Sequence, residues 1–518
     1  MAFTRKNVWA NGGDFNDPTI LWYARGVAAM QGRALNDQSG WRFFGAIHGF
    51  NQTKWQRVGA WSPNDPMPSS SDRATFWAQC QHGSWYFLPW HRGYLIALEA
   101  MIRDAIANMP GAPTDWALPY WNYFNPNQNA LPPAFASPNW PDGQGNNPLF
   151  VTRRYGPDGN GNVFVPMDQV NEDALGDPPF VGPGQGASPG FGGITTGFNH
   201  SGRTHGGIEM QPHDMVHVLV GWVDQANQKG LMTDPDTAGL DPIFYLHHGN
   251  IDRLWEVWKG TPTAQGDPVS DPNWTNGPPN TGGQAFVMPM PGGTSMTYTP
   301  GQMSSLSTLN YTYDNMSPPA AAPQAVARLQ RLGVPAPAAV ALARSTAMAG
   351  PANVELLGAN TQSIRLSGTE ARTSLALDAA VKNKVAASLQ ATRAAAAAPP
   401  TAPDRVFLNL ENVRGLSDAV AFSVYINLPE GEDPARHPEL KAGSIGLFGV
   451  STASERDGQH AGDGITYVLE ITPIVDALHL SGALDPGQLH VRLVPLKPPV
   501  PDSAQISIGR ISVYRQGS

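Results

Sequence analysis

Histidine is the residue type this chain sets aside for chemistry. Nine of its thirteen histidines fall in the first ~310 residues, among aromatic and apolar stretches. His213 and His217 stand four apart in "PHDMVHVLVGWV" (212–223). On a helix, positions i and i+4 share a face, so both imidazoles can reach one metal ion. Met215, Val216, Val218, Leu219 and Val220 make that helix apolar nearly all round, which marks it as buried. Buried imidazoles need partners, and one metal serves both. A second group comprises His48 in "SGWRFFGAIHGF" (39–50), with His82 and His91 in "CQHGSWYFLPWHRGYLIALE" (80–99). Taken singly, each could instead be a core histidine bonded to a backbone carbonyl. The third group is the doublet His247–His248 in "DPIFYLHHGNIDRLWEVW" (241–258). Adjacent helical residues point about 100° apart, so the two cannot serve one ion equally. Periodicity does not choose between them: Phe244, His248, Ile251 and Trp255 form one stripe, and Ile243, His247, Asn250 and Leu254 the next.

The result is two clusters of about three imidazoles, with no second cysteine and no carboxylate at ligand spacing. All-nitrogen sites suit copper, zinc, iron or nickel. Three protein ligands per ion leave a position open for a substrate or O2. Cys80, the only cysteine, stands two residues before His82. A thiol beside a redox metal is a liability unless it is consumed, which weighs toward a redox-active ion.

Several elements must position these groups. Residues 17–35 read as a helix, with Asp17 as cap and Pro18 at the first position. Further helices are expected at 39–50, 90–109, 212–223 and 241–258, separated by Gly-, Pro- and Asn-rich loops over 125–205. The pattern changes after about residue 310. A Pro/Ala-rich linker with helical pieces (316–351) leads into period-two stretches such as "RVFLNLENV" and "ISIGRISVYR", expected to form a β-sandwich over 352–518. The segment 379–403 reads as a helical or mobile insert. The expected organisation is therefore multidomain α+β: a mainly helical catalytic domain (1–315), the linker, and a β-domain.

Charged residues are 14% of the chain, against about 25% in ordinary soluble domains. The net charge of −9 speaks against nucleic acid or an anionic membrane as partner. A single cysteine excludes an internal disulfide. The start lacks the apolar run of a secretory signal, and no stretch of 18 apolar residues occurs. The simplest reading is a soluble cytoplasmic protein, with export on a partner chain and homo-oligomerisation left open.

"HGSWYFLPWHRGYLIALE" (82–99) resembles the copper-A signature of tyrosinases, catechol oxidases and molluscan haemocyanins, and "DPIFYLHHGNID" (241–252) resembles their copper-B signature. "LPYWNY" (118–123) is similar to the family's "PYWDW" element. The resemblance covers residues ~40–260. It implies a four-helix bundle holding two copper ions, O2 as co-substrate and a small phenolic substrate. By position, one copper would take His48, His82 and His91, and the other His213, His217 and His248. His247, and Asp252 four residues after His248, would then stand behind the ligands. Cys80-Gln81-His82 matches the Cys-x-His spacing at which fungal tyrosinases and molluscan haemocyanins form a thioether. The Glu four residues before His213 and the long His217–His248 spacing are plant-like.

The reaction implied is ortho-hydroxylation of monophenols and oxidation of o-diphenols. Glu209 and Asp214 match positions linked to proton removal from the phenol, although strong monophenolases usually carry Asn at the second. Val218 and Pro235 stand where bulkier residues would narrow the pocket. The β-domain resembles the lid of latent enzymes, with Phe448 in "IGLFGVSTASERDG" (445–458) as the expected plug. Two neighbouring readings are a catechol or o-aminophenol oxidase and a haemocyanin-like O2 carrier. A single copper domain disfavours the carrier, and the lack of bridging carboxylates disfavours a dinuclear zinc hydrolase.

Overall fold

The structure, a computed structural model, describes residues 2–77, 79–140, 145–198, 203–318, 324–348, 353–394, 403–456, 462–481 and 487–517. Helix α1 (Pro18–Gln31) begins where the Asp17 carboxylate accepts from the Thr19 amide, with Pro18 in the first turn. It packs on α3 (Phe87–Ile106) so closely that a Cβ on Gly26 would lie 2.7 Å from Ile102. Helix α2 (Trp41–His48) ends on a ligand candidate. Helix α5 (Pro242–Lys259) starts from Asp241, whose carboxylate caps Ile243 and takes Arg154 at 2.6–3.0 Å in the interior.

The helix expected over 212–223 is shorter and begins differently. Glu209–Asp214 is one wide π-type turn with Gln211 extended (φ −140°), and the regular helix α4 is Met215–Gly221. Helices α2, α3, α4 and α5 form the four-helix core, filled by large buried rings including Trp85, Trp90, Tyr94 and Phe244. Two short pairings close its outside. Strand β1 (Phe3–Arg5) lies parallel to β4 (Tyr311–Tyr313), and β2 (Phe286–Met290) forms a hairpin with β3 (Thr294–Tyr298).

The β-domain contains strands β5 (Asn353–Ala359), β6 (Ile364–Leu366), β7 (Ala371–Leu377), β8 (Arg405–Arg414), β9 (Ala421–Ile426), β10 (Lys441–Gly446), β11 (Ile465–Glu470), β12 (Gln488–Pro495) and β13 (Ile506–Gly517). They pair in one sheet of order β10-β9-β12-β7-β5-β13-β8-β11, with β6 on β13. The expected two-sheet sandwich is thus a single curled sheet. Its edge strands meet where the Tyr467 hydroxyl donates to the Gly446 carbonyl at 2.9 Å, which nearly closes a barrel. Curling turns one face of the sheet inward onto itself and leaves little edge to protect. Period two is a property of a half-buried strand and cannot distinguish these two arrangements.

The segment expected as a linker folds over residues 324–348 into a helical hairpin, α6 (Gln324–Arg331) and α7 (Ala336–Met348), with its own apolar contacts through Val326, Leu329, Val334 and Ala339. Arg328 ties the hairpin to the β-domain through Asp476 at 2.7 and 2.9 Å. Residues 319–323 and 349–351 of that segment lie outside the described residues. The insert is helical over α8 (Ala379–Ala394), and 395–402 lie outside. Among the described residues, no helix is long and apolar enough to cross a membrane.

Candidate metal centre

Four helices and two turns bring six imidazoles together. His48 comes from the last turn of α2, His82 from the turn before α3, and His91 from the second turn of α3. His213 comes from the π turn, His217 from α4 and His248 from α5. All six are buried. Donor atoms of His48, Cys80, His82 and His91 lie within 4.8 Å of one another, and so do those of His213, His217 and His248. The two groups adjoin: the His91 and His248 rings stack at 4.4 Å.

One ring nitrogen of most of these histidines is held, and the other is free. Nδ1 of His48 donates to the Pro235 carbonyl, Nδ1 of His91 to Phe87 and Nδ1 of His217 to Met232, each at 2.8 Å. Nδ1 of His213 donates to Asp214 Oδ1 at 2.9 Å. Such bonds fix the tautomer, so the Nε2 lone pair points inward. Nε2 of His48, His82, His91 and His213 is buried without a hydrogen-bond partner among the described residues. His248 leaves Nδ1 in that state, with Nε2 3.4 Å from His217 Nε2. Burial lowers the basicity of all six; it takes His48 down to about 4, and in the other five neighbouring imidazoles add to the effect. Neutral, convergent, unpaired imidazole nitrogens are what a nitrogen-ligated metal ion requires.

Other expected residues have particular places. Cys80 is buried, with Sγ 3.5 Å from His82 Nδ1, the side of the ring away from the unpaired Nε2. The His247 ring stacks on His213 at 5.5 Å, and its Nδ1 lies 3.4 Å from the Tyr123 hydroxyl. Asp252 does not touch the imidazoles. It braces α3 against α5 through Arg92 at 2.5 Å, and also bonds Arg5 and the Tyr311 hydroxyl. Pro235 acts through its carbonyl, which orients His48. Val218 is buried against the β-domain, where a Cβ on Gly446 would meet its methyl at 3.1 Å. Phe448 lies over the centre. Its ring stacks on His217 at 4.0 Å and stands 5.5 Å from His213 and 5.7 Å from His82.

The two carboxylates are not a free pair facing one water. Glu209 accepts the Gly83 amide with both oxygens, at 2.8 and 3.0 Å. Asp214 gives one oxygen to His213 and the other to His205 Nδ1 at 2.6 Å. Burial pushes Glu209 up to about 7 and raises Asp214; His205 pulls both down. Burial opposes a charge on His205, but Glu209 and Asp214 outweigh it and raise it to about 9. His205 is the residue that sequence reasoning missed. It stands alone in "RTHGGIE", with no ligand spacing to draw attention to it.

Comparison with known proteins adds a full-length relative. Residues 38–183 and 184–261 match the common central domain of tyrosinase, and residues 353–516 match a domain of unknown function, DUF7868. Over 530 aligned residues, 99% of each chain, the sequence is 30% identical to tyrosinase HcTyr1 of Hahella sp. (strain CCB-MM4). The chain belongs to the tyrosinase family. Within that family it is 31% identical to the latent form of the chloroplastic polyphenol oxidase of Prunus armeniaca, over 37% of this chain and 32% of that one, so the match spans about a third of the plant enzyme. The latent apple tyrosinase shares the fold across 99% of this chain and 97% of its own, with TM-score 0.59 at 20% identity. Tyrosinases are type-3 copper proteins, and this member is an oxidase of the tyrosinase or polyphenol oxidase type with two histidine clusters able to bind metal.

Proposed function

We propose that the chain is a latent tyrosinase, holding two copper ions in the two imidazole triads and acting on small phenols with O2 as co-substrate. The observation that carries this reading is the convergence of two imidazole triads in which buried ring nitrogens from α2, the turn before α3, α3, the π turn and α5 stand unpaired among the described residues. Copper bound there would supply O2 activation, which serves both ortho-hydroxylation of a monophenol and two-electron oxidation of an o-diphenol. The protein's own residues hold the ring nitrogens in place, exclude water and manage the phenol's proton. A phenol has a pKa near 10, so its hydroxyl needs a base at neutral pH. Glu209 suits that role, since its two oxygens share the Gly83 amide, whereas each Asp214 oxygen is taken by an imidazole of its own. The small Val218 and Pro235 leave room for a monophenol once the lid is displaced. The full-length similarity to a protein described as a tyrosinase supports hydroxylation over simple catechol oxidation.

Cys80 and His82 are read as a thioether. The carbon–sulfur bond forms as the thiol and a ring carbon each lose one hydrogen, with O2 taking the two electrons. Copper-matured protein should be two hydrogens lighter than the sequence mass and give no thiol labelling after denaturation; stoichiometric labelling of Cys80 would remove this feature. The function itself is tested by loading the full chain with copper, displacing the lid with detergent, and following tyrosine and DOPA. Turnover of both is expected. Turnover of DOPA alone would reduce the enzyme to a catechol oxidase, and two bound coppers with neither activity would overturn the reading.

A further inference from the structure

His205 belongs to neither triad, yet it is buried and linked to one of them. Its Nδ1 holds Asp214 Oδ2 at 2.6 Å, and Asp214 Oδ1 holds His213 Nδ1 at 2.9 Å. The other ring nitrogen, Nε2, is buried with no partner among the described residues. The backbone carbonyls that orient His48, His91 and His217 are fixed by the fold itself. The side chain orienting His213 is different: an aspartate has its own rotamers, and a second contact is needed to fix it. His205 makes that contact. The β-domain in turn fixes His205. Thr204 and Thr466 form a backbone bridge, the Thr466 amide donates to the Arg203 carbonyl, and Arg203 pairs with Asp463 at 2.6 Å. The Tyr467 ring of β11 lies 6.0 Å from the His205 ring.

We propose that His205 is a positioning residue for the second metal site: it clamps Asp214 onto His213, and strand β11 of the lid holds it there. This rests on the reading of the triads as copper sites. Partners that orient metal-ligating histidines typically contribute 10- to 100-fold in metal affinity or activity. The lid would then do more than cover the entrance, because its β11 strand supports the residue that fixes one ligand.

The test uses the full copper-loaded chain and reads copper per chain and the rate at which each ion passes to a chelator. In His205→Leu, one of the two ions should leave about 10- to 100-fold faster and the other at the wild-type rate. His205→Asn, whose amide nitrogen can stand where Nδ1 stands, should stay close to wild type. If the leucine variant does not fold, His205→Gln takes its place, with a donor displaced toward Nε2 and the same expected loss. Wild-type release from the Leu or Gln variant overturns the proposal. So does an Asn variant that loses copper as fast as those variants, which would make the position one of packing only. A wild-type chain that does not hold two coppers overturns this inference together with the reading beneath it.

Discussion

The two imidazole triads are built on different supports. In the first, His48 and His91 are oriented by the carbonyls of Pro235 and Phe87, and His82 by a neighbouring sulfur. Backbone carbonyls neither titrate nor change rotamer. In the second, only His217 has a carbonyl, that of Met232, while His213 depends on Asp214 and His205, and Phe448 stacks on His217. One half of the centre is held by the helical domain alone. The other is held in part by titratable side chains, and the lid ring stacks on it at 4.0 Å while meeting the first only edge-on at 5.7 Å. Control from outside the helical domain should therefore reach the second site first.

The largest expected effect breaks both halves. His91→Ala and His213→Ala should each lower copper from two ions to one per chain and abolish turnover, measured by metal analysis and DOPA oxidation. Retention of two ions by either variant would dismiss the triad assignment. Next comes the proton. Glu209→Gln should lower tyrosine turnover by roughly 10²-fold, the scale of a general base. DOPA turnover should fall far less and copper should stay at two. Equal losses on the two substrates would mean that Glu209 shapes the turn at Gly83 and does not serve the phenol.

The same contrast explains what the sequence could reveal. The histidine clusters were legible because a metal site would impose residue type and spacing together, as at His213 and His217. The choice of His248 over His247 was not legible from periodicity, since both stripes of α5 are buried; only the family resemblance selected it. The π turn escaped because Pro212 reads equally well as the first residue of an ordinary helix. His205 escaped because its role depends on a contact across nine residues with no pattern of its own. In the β-domain, alternation gave strands but not their closure, which depends on where edge strands meet. The helical pieces within 324–348 were legible by composition, but their docking through the buried Arg328–Asp476 pair was not, since it joins residues 148 positions apart.

Opening the lid should have a smaller effect on rate, in the opposite direction. Phe448 is 1% exposed, and burying such a side chain contributes about 2 kcal/mol. Phe448→Ala should shift the docking equilibrium by roughly 30-fold toward the open form, raising full-chain turnover by up to that factor. The chelator should also remove copper faster from the second site than from the first. Unchanged turnover, with the variant folded and loaded, would make the ring a packing element only.

The smallest expected effect concerns the pH at which the lid lets go. Asp418 of the β-domain is buried and accepts from Lys229 of the helical domain at 2.9 Å and from the Ser451 amide at 2.8 Å, three residues past Phe448. Burial alone would raise its pKa, but Lys229, Lys54 and the Ser451 amide hold it below the ordinary carboxylate range. A carboxylate depressed in the docked state stabilises docking above its free value of about 3.9 and loses that contribution as pH falls through the docked value. Asp418 should therefore keep the latch closed at neutral pH and release it only below about 4. Lys229 is 28% exposed at its side chain, so solvent screens the pair and its worth is about 1 kcal/mol. Asp418→Asn keeps a side-chain oxygen for Ser451 and removes the charge. It should raise full-chain DOPA turnover at pH 7 by roughly fivefold and flatten activation below pH 4. If acid activation below pH 4 is as steep in the variant as in the wild type, the latch is elsewhere in the interface.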